Sequence, residues 1–390
     1  MKTIQEAEIE GKNILVRIDT DVPIIQMTPL RSSSYAGQAP DRRQRTEIAD
    51  DERIQASIPT IEYLLQRGAK VTIIGHIGRP DGKEVSELKM RPVEDKLIEL
   101  LASHTNWQIL ENLRFSPGEE KNDPEFSKQL AAGQDVFVQD AFATAHRAHA
   151  STVGVAKLLP SFAGLAIQKE VEGLQRILSS PDEGFTIIIG GKKAEDKLPV
   201  IANLFSKAQT FLIGGVIANT FLAAKGFKLG KSLIEEKLLG EAKDILQKFN
   251  RDQSKKLVLP TDLVFSKSIE KPLDLKYENL EDLNNLKDYY AVDISAETSA
   301  NFLVEIKNSQ AIFWNGNMGV SEVEEFRTGT WKICEAIANS GAKKFAGDGD
   351  TSEFIRHMGI AENFDFISNA GGATLEYLAG KKLPGLEVLE

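Results

Sequence analysis

One cysteine, Cys334, stands in 390 residues. No internal disulfide can form and no thiolate metal cluster can be built, which fits a reducing compartment. Long hydrophobic runs are missing too: none approaches the roughly 18 apolar residues of a membrane-spanning helix. The opening stretch, MKTIQEAEIEGK, has no apolar signal core. The expectation is a cytoplasmic chain with no membrane partner. An excess of positive charge is also absent. The formal net charge is -10, which argues against nucleic acid as the main partner. A small anionic ligand stays open, because local charge sets the binding field. What is present is ordinary for a globular protein, with 42% apolar and 27% charged residues. The length suffices for two or three domains.

The basic residues are placed unevenly. His76, His104, His146 and His149 all precede residue 150. Apolar, β-branched runs predict strands over 12–18, 70–75, 107–111 and 135–139. Arg17, Arg79, Arg114 and Arg147 lie at or near the ends of those strands. Helical spacing is predicted over 53–68, led by Arg53, and over 87–103 and 124–132. Asp123 suits the N-cap of the last and Pro124 its first position. Strand, basic tip and helix repeat in that order. A doubly wound parallel sheet binds ligands outside the carboxyl ends of its strands, so these arginines would converge on one face. Residues 24–45, rich in Ser, Pro, Gly and Arg, predict a long surface loop. Its Arg31, Arg42, Arg43 and Arg45 could reach an anion, although a solvated loop is the favoured reading.

Residues 185–197, FTIIIGGKKAEDK, are the centre of the chain. A buried strand runs into Gly190 and Gly191, and Lys192, Lys193 and Lys197 follow where a helix begins. Glycine lets backbone N–H groups approach a ligand, and a helix N-terminus with lysine favours phosphate. It is not a Walker A loop, since Asp196 stands where the second loop glycine belongs. An ordinary strand-to-helix turn with solvated lysines remains open. A helix over 169–178 precedes this stretch. Further strands are predicted over 210–215, 257–260, 310–314, 343–347 and 365–368, several running into glycine-rich turns. The residues alone therefore predict an α/β chain with a cleft between two domains, an anion on one side and a nucleotide on the other.

The landmarks stand as RIDTDVP (17–23), RIQASIPTI (53–61), GHIGRP (75–80), ENLRF (111–115) and DAFATAHRAHAST (140–152). GGKKAEDK (190–197), GGVIANTF (214–221), WNGNMGVSE (314–322), GDGDT (347–351), AGGATLE (370–376) and LPG (383–385) follow. In this order they resemble the phosphoglycerate kinase family from about residue 13 to 389. The resemblance implies two doubly wound parallel-sheet, Rossmann-like domains joined by a hinge helix. It places a substrate domain over 1–168, a nucleotide domain over 169–367, and a segment over 368–390 returning to the first domain. It implies reversible phosphoryl transfer between 1,3-bisphosphoglycerate and MgADP in glycolysis, by a cytoplasmic, hinge-bending monomer. Asp19, Asp21, Arg53, His76, Arg79, Arg114 and Arg147 would bind phosphoglycerate. Gly191, Lys193, Lys197, Gly214, Gly215, Asn317, Val320, Glu322, Gly349, Asp350 and Thr351 would bind the nucleotide, with Asp350 holding its magnesium. Arg53, Lys193, Lys197 and the glycine turns at Gly349 and Gly372 would stabilise the moving phosphoryl group. No strong general base is needed, because both reacting oxygens are already anionic.

This chain departs from the family's pattern near the chemistry. Asp21 replaces an asparagine, Asp348 and Ala370 replace glycines, Asn317 a proline, Ser321 an aromatic residue and Val216 a glycine. Asp348 is expected either to cap the following helix or to compete with phosphate. One such repulsion at ~4 Å is worth roughly 4 kcal/mol at an effective dielectric of ~20. Lys192, in place of a small residue, is expected to supply the compensating cation. Two other readings stay open: a non-catalytic nucleotide or phosphoglycerate binder, and a kinase of another small carboxylate.

Overall fold

Four consecutive buried residues, Ile14 to Arg17, end the first strand, β1 (Asn13–Arg17). A strand covered on both faces belongs inside a parallel sheet flanked by helices. β2 (Ile24–Met27) and β3 (Arg45–Ile48) follow, then α1 (Glu52–Gln66), β4 (Lys70–Ile74) and α2 (Arg91–Leu100). β5 (Trp107–Ile109), α3 (Pro124–Ala131), β6 (Val136–Gln139), β7 (Ser161–Ala163) and α4 (Leu165–Leu178) complete this part. The computed structural model describes residues 1–27, 45–283 and 285–390. The sheet order is β5-β4-β1-β6-β7, and every pairing is parallel.

Three local expectations change. The predicted loop over 24–45 begins and ends in an antiparallel hairpin, with Ile24 opposite Ile48. Those two isoleucines pack against the core, which is a cross-strand pairing that composition does not reveal. Arg31, Arg42 and Arg43 lie outside the described residues. The helix predicted over 87–103 is interrupted, because Pro92 sits in the first turn of α2 and fixes where it can start. The helix predicted from 169 starts at Leu165. Its first N–H groups are met from elsewhere in the chain: Leu165 N donates to Thr60 Oγ1 at 2.8 Å and Ala166 N to Asp140 Oδ1 at 2.9 Å.

The second series is β8 (Phe185–Ile189), α5 (Ala194–Leu204), β9 (Thr210–Ile213), α6 (Gly215–Ala224), α7 (Leu239–Arg251) and β10 (Lys256–Val258). β11 (Asp262–Ser266), β12 (Lys276–Asn279), β13 (Tyr290–Ile294) and α8 (Ala296–Lys307) come next. The series ends with β14 (Ala311–Asn315), α9 (Thr328–Ala338), β15 (Lys343–Gly347), α10 (Gly349–His357), β16 (Phe366–Ser368), α11 (Gly372–Leu378) and α12 (Pro384–Glu387). A six-stranded sheet runs β10-β9-β8-β14-β15-β16, and a separate three-stranded sheet runs β12-β11-β13. The first is parallel throughout and the second antiparallel. The fully buried β8 and β14 lie side by side at its centre.

The chain divides into two units, Met1–Val171 with Lys382–Glu390, and Glu172–Lys381. The first division falls inside α4, three residues beyond the expected one. The second differs more. Residues 368–381, expected to return to the first domain, stay with the second unit. There α11 packs on α5, and Asn203 Nδ2 donates to Leu378 O at 2.6 Å. Only the last stretch rejoins the first unit, where Gly385 N donates to Ala145 O at 2.8 Å and Lys2 N to Leu389 O at 2.7 Å.

Candidate functional site

In the first sheet the chain leaves β1 towards β4 on one side and β6 on the other. That is a topological switch point, where open α/β sheets bind ligands. Arg17 ends β1 and is buried. Its guanidinium donates to Ile18 O at 2.8 Å, Ser151 Oγ at 3.1 Å and His76 Nδ1 at 2.8 Å. Arginine can only donate, so Nδ1 accepts and the neutral ring carries its proton on Nε2. Nε2 faces Asp21 Oδ2 at 3.7 Å. Burial, followed by the Arg17 and Arg114 charges, pushes the imidazole well below its ordinary value.

Gly78 joins the next two groups. Its N–H donates to Asp21 Oδ1 at 2.8 Å, and its carbonyl accepts from Arg114 NH1 at 2.8 Å. Arg114 also pairs with Glu120 at 3.1 Å. Arg53, leading α1, pairs with Asp19 at 3.3 Å, and burial raises the Asp19 carboxyl while Arg53 opposes the rise. Asp19, Asp21, Arg53, His76 and Arg114 are thus held in two linked groups at the strand tips. Arg79 is exposed and Arg147 half-buried, beside His146 at 3.1 Å. His149 is buried with Nδ1 3.7 Å from Glu119, whose Oε2 accepts from Ser151 N at 3.1 Å. Sequence reasoning placed Arg17 at a strand tip but not in the site. Its role depends on burial, which a single charged letter does not disclose.

The second unit has its switch point between β8 and β14. Lys197 is buried on the first turns of α5. Its ammonium donates to Gly190 O at 2.8 Å, Asn315 O at 3.4 Å and Asp348 Oδ2 at 2.9 Å. Lys193, by contrast, is exposed. The glycines act differently from the expectation that their N–H groups meet a ligand. Gly191 N donates to Asn317 O at 2.7 Å and Gly215 N to Met318 O at 3.0 Å, while Gly214 N donates to Ile189 O at 2.8 Å. A Cβ on Gly190 would meet the carbonyl of Asn317. These turns lack side chains because three backbones pack against one another there. The first amides of α5 are also taken: Ala194 N and Glu195 N both donate to the Glu235 carboxylate. Glu235 lies 40 positions from Glu195, and no local signal marks it.

Asp348 corrects two expectations. It does not cap α10, because it makes no side-chain cap bond. Its cation is Lys197, whereas Lys192 pairs with Glu322 at 2.5 Å. The Asp348 backbone sits at φ 154, ψ 144, a region populated almost only by glycine and costing other residues about 1–3 kcal/mol. Thr351 is buried and its Oγ1 accepts from Gly316 N at 2.7 Å, so its hydroxyl braces the β14 turn. Gly349 and Gly372 are exposed at the starts of α10 and α11.

A cavity of about 490 Å³ opens beside these turns. Leu263, Val292 and Met318 form its apolar wall, while Lys192, Glu322 and Asp350 line its polar part. An apolar slot with polar groups on one side suits a nucleoside with a phosphate tail. β11 supplies Leu263 and β13 supplies Val292, from a sheet that the sequence analysis does not predict. Asn317 is buried with Oδ1 unpartnered, Nδ2 donating to Ser321 at 2.6 Å. Val320 N donates to Val292 O at 2.8 Å. No cluster of three metal-ligating side chains occurs among the described residues. The Asp350 carboxyl is raised by partial desolvation and then by the Asp348 charge. One accessible carboxylate beside a second negative charge fits a divalent ion that arrives already bound to phosphate oxygens. No helix among the described residues is long and apolar enough to cross a membrane.

Comparison with known proteins agrees with this chemistry. The model of the family described as phosphoglycerate kinase matches residues 38–381. A phosphoglycerate kinase of Moorella thermoacetica is 40% identical over 409 residues, covering 99% of this chain and 98% of that protein. One of Finegoldia magna is 38% identical over 412 residues, covering 100% and 99%. The solved structure of phosphoglycerate kinase from Coxiella burnetii superposes with a TM-score of 0.83 at 32% identity, over 99% of this chain and 98% of that one. With both switch-point sites in place and the likeness running end to end, the chain belongs to the phosphoglycerate kinase family.

Proposed function

We propose that the chain moves a phosphoryl group reversibly between 1,3-bisphosphoglycerate and MgADP, yielding 3-phosphoglycerate and MgATP in glycolysis. The observation that carries the reading is Lys197, an ammonium buried at the end of β8 with two backbone carbonyls fixing its position. A desolvated, preorganised cation stabilises charge on a moving phosphoryl group far better than a solvated one.

On the acceptor side, Arg79, Arg114 and Arg147 bind the anionic ends of phosphoglycerate by charge-assisted hydrogen bonds. Neutral His76 offers its Nε2 proton, and Asp19 and Asp21 accept from the hydroxyl. On the nucleotide side the base lies along the wall of β11 and β13, near Gly214, Gly215, Asn317 and Val320. Glu322 accepts from the ribose, and the phosphates run past Gly191 towards Lys193, Lys197, Gly349 and Thr351. Magnesium, when bound, neutralises phosphate charge, with Asp350 as its protein ligand. Arg53, Lys193, Lys197 and the amides at Gly349 and Gly372 hold the transferring group in line and balance its charge. Hinge bending, a monomeric state and a cytoplasmic location belong to the same proposal. So does the absence of nucleic-acid and membrane partners.

The test is ATP consumption with 3-phosphoglycerate and magnesium, beside Lys197→Ala. Turnover that collapses in the variant supports the reading. A folded wild type that binds MgADP without turnover refutes it.

A further inference from the structure

We propose that Asp348 is an internal occupant of the anion position at Lys197, which the phosphates of a nucleoside di- or triphosphate must displace. An ammonium has three protons to donate. Lys197 directs two towards Gly190 O and Asn315 O, which are backbone atoms of packed turns and cannot withdraw. The third goes to Asp348 Oδ2 at 2.9 Å, its one charged partner among the described contacts. An incoming phosphoryl oxygen therefore competes for the direction that Asp348 holds.

Three features separate this contact from an ordinary structural ion pair. Asp348 holds a glycine backbone conformation, so local preference does not put it there. Its carboxylate leaves the first turn of α10 uncapped, although an N-cap aspartate ordinarily bonds those amides. Moreover, Lys192, the cation expected beside Asp348 from the sequence, is engaged by Glu322. The side chain has turned from the helix towards the buried lysine, leaving Asp348 and Asp350 as two carboxylates in one short turn. When phosphate arrives, Asp348 is left as a like charge beside it unless it swings out to solvent, where it is already one-quarter exposed. Either way, part of the phosphate's attraction to Lys197 offsets the lost pair. Asp348 thus sets phosphate affinity without contributing to adenosine affinity.

The inference rests on nucleotide binding in this cavity, so the experiment separates the two. Adenosine and MgADP are titrated calorimetrically into the full chain as wild type, Asp348→Gly and Asp348→Asn. Asp348→Gly also restores the residue that the backbone conformation favours, so the variant is expected to fold. The expected result is MgADP affinity raised at least about tenfold in Asp348→Gly. A smaller rise is expected in Asp348→Asn, which keeps the size but not the charge, and no change for adenosine in either. Equal or weaker MgADP binding in both variants, with adenosine binding intact, overturns the inference and leaves the nucleotide reading standing. Absence of adenosine and MgADP binding in all three proteins overturns both.

Discussion

Arg17 holds His76 in one tautomer: its guanidinium meets Nδ1 at 2.8 Å with both side chains buried. Protonating that nitrogen would break the bond and set two cations together, so the folded ring stays neutral. Its folded pKa lies well below the ordinary 6.5, so the unfolded chain takes the proton first as pH falls. The contribution to stability is complete above about pH 6.5 and is lost on acidification. Wild type should lose more urea resistance than His76→Gln between about pH 7 and pH 5. A His76 proton resonance that titrates near its ordinary value would refute this.

The same arginine faces Glu119 across Ser151, which donates to Glu119 Oε1 at 2.6 Å. Arg17→Met leaves that carboxylate buried with less compensation. We expect a loss of about 3–5 kcal/mol in urea unfolding, with weaker phosphoglycerate binding because His76 loses its orientation. An unchanged unfolding midpoint would show that Glu119 is satisfied without Arg17.

Two buried carboxyls give the opposite pH sign. Burial pushes Asp140 up to about 7 and Asp293 up to about 8. Each is protonated more readily folded than unfolded, so each favours folding at low pH and loses that contribution as pH rises through its folded value. Asp140→Asn and Asp293→Asn keep an acceptor for the N–H groups of Ala166 and Gly329. Relative to wild type, both should gain stability between about pH 5 and pH 8, by up to about 3 kcal/mol for Asp140→Asn and about 4 kcal/mol for Asp293→Asn, at about 1.36 kcal/mol per unit. Denaturation at the two pH values measures it, and a pH-independent difference rules it out.

Glycines that look alike in sequence should separate by assay. A Cβ on Gly190 runs into the Asn317 backbone, so Gly190→Ala should cost about 1–3 kcal/mol of stability. Gly349 has open space around it and no positive φ. Gly349→Ala should change stability by less than about 0.5 kcal/mol, and any loss of kcat then reports close approach of the phosphoryl group. A folding defect in Gly349→Ala would remove it from the catalytic set.

Lys192→Ala breaks an exposed pair with Glu322, worth under about 1 kcal/mol. It should alter the KM for nucleotide through Glu322, equally in wild type and in Asp348→Gly. A kinetic effect confined to proteins that retain Asp348 would restore Lys192 as that residue's cation.

The sequence by itself determined the parallel sheets, the basic strand tips and the glycine turns. Those follow from local periodicity, and from a backbone need that leaves its own letter at Gly191 or Gly316. It also carried the family, because eleven short motifs in one order identify it jointly. Tertiary structure decided the rest. Burial made Arg17 a positioning group, and distance in sequence hid Glu235, which covers the first amides of α5. The returning segment shrank to 382–390 because α11 found its apolar partner in α5. The partner of Asp348 was settled the same way. By sequence the expected cation was Lys192, and the contact fell to Lys197 because Glu322 engages Lys192 while two carbonyls hold Lys197 beneath the turn. Charge pairing is a property of distance and desolvation, and neither is written in the order of residues.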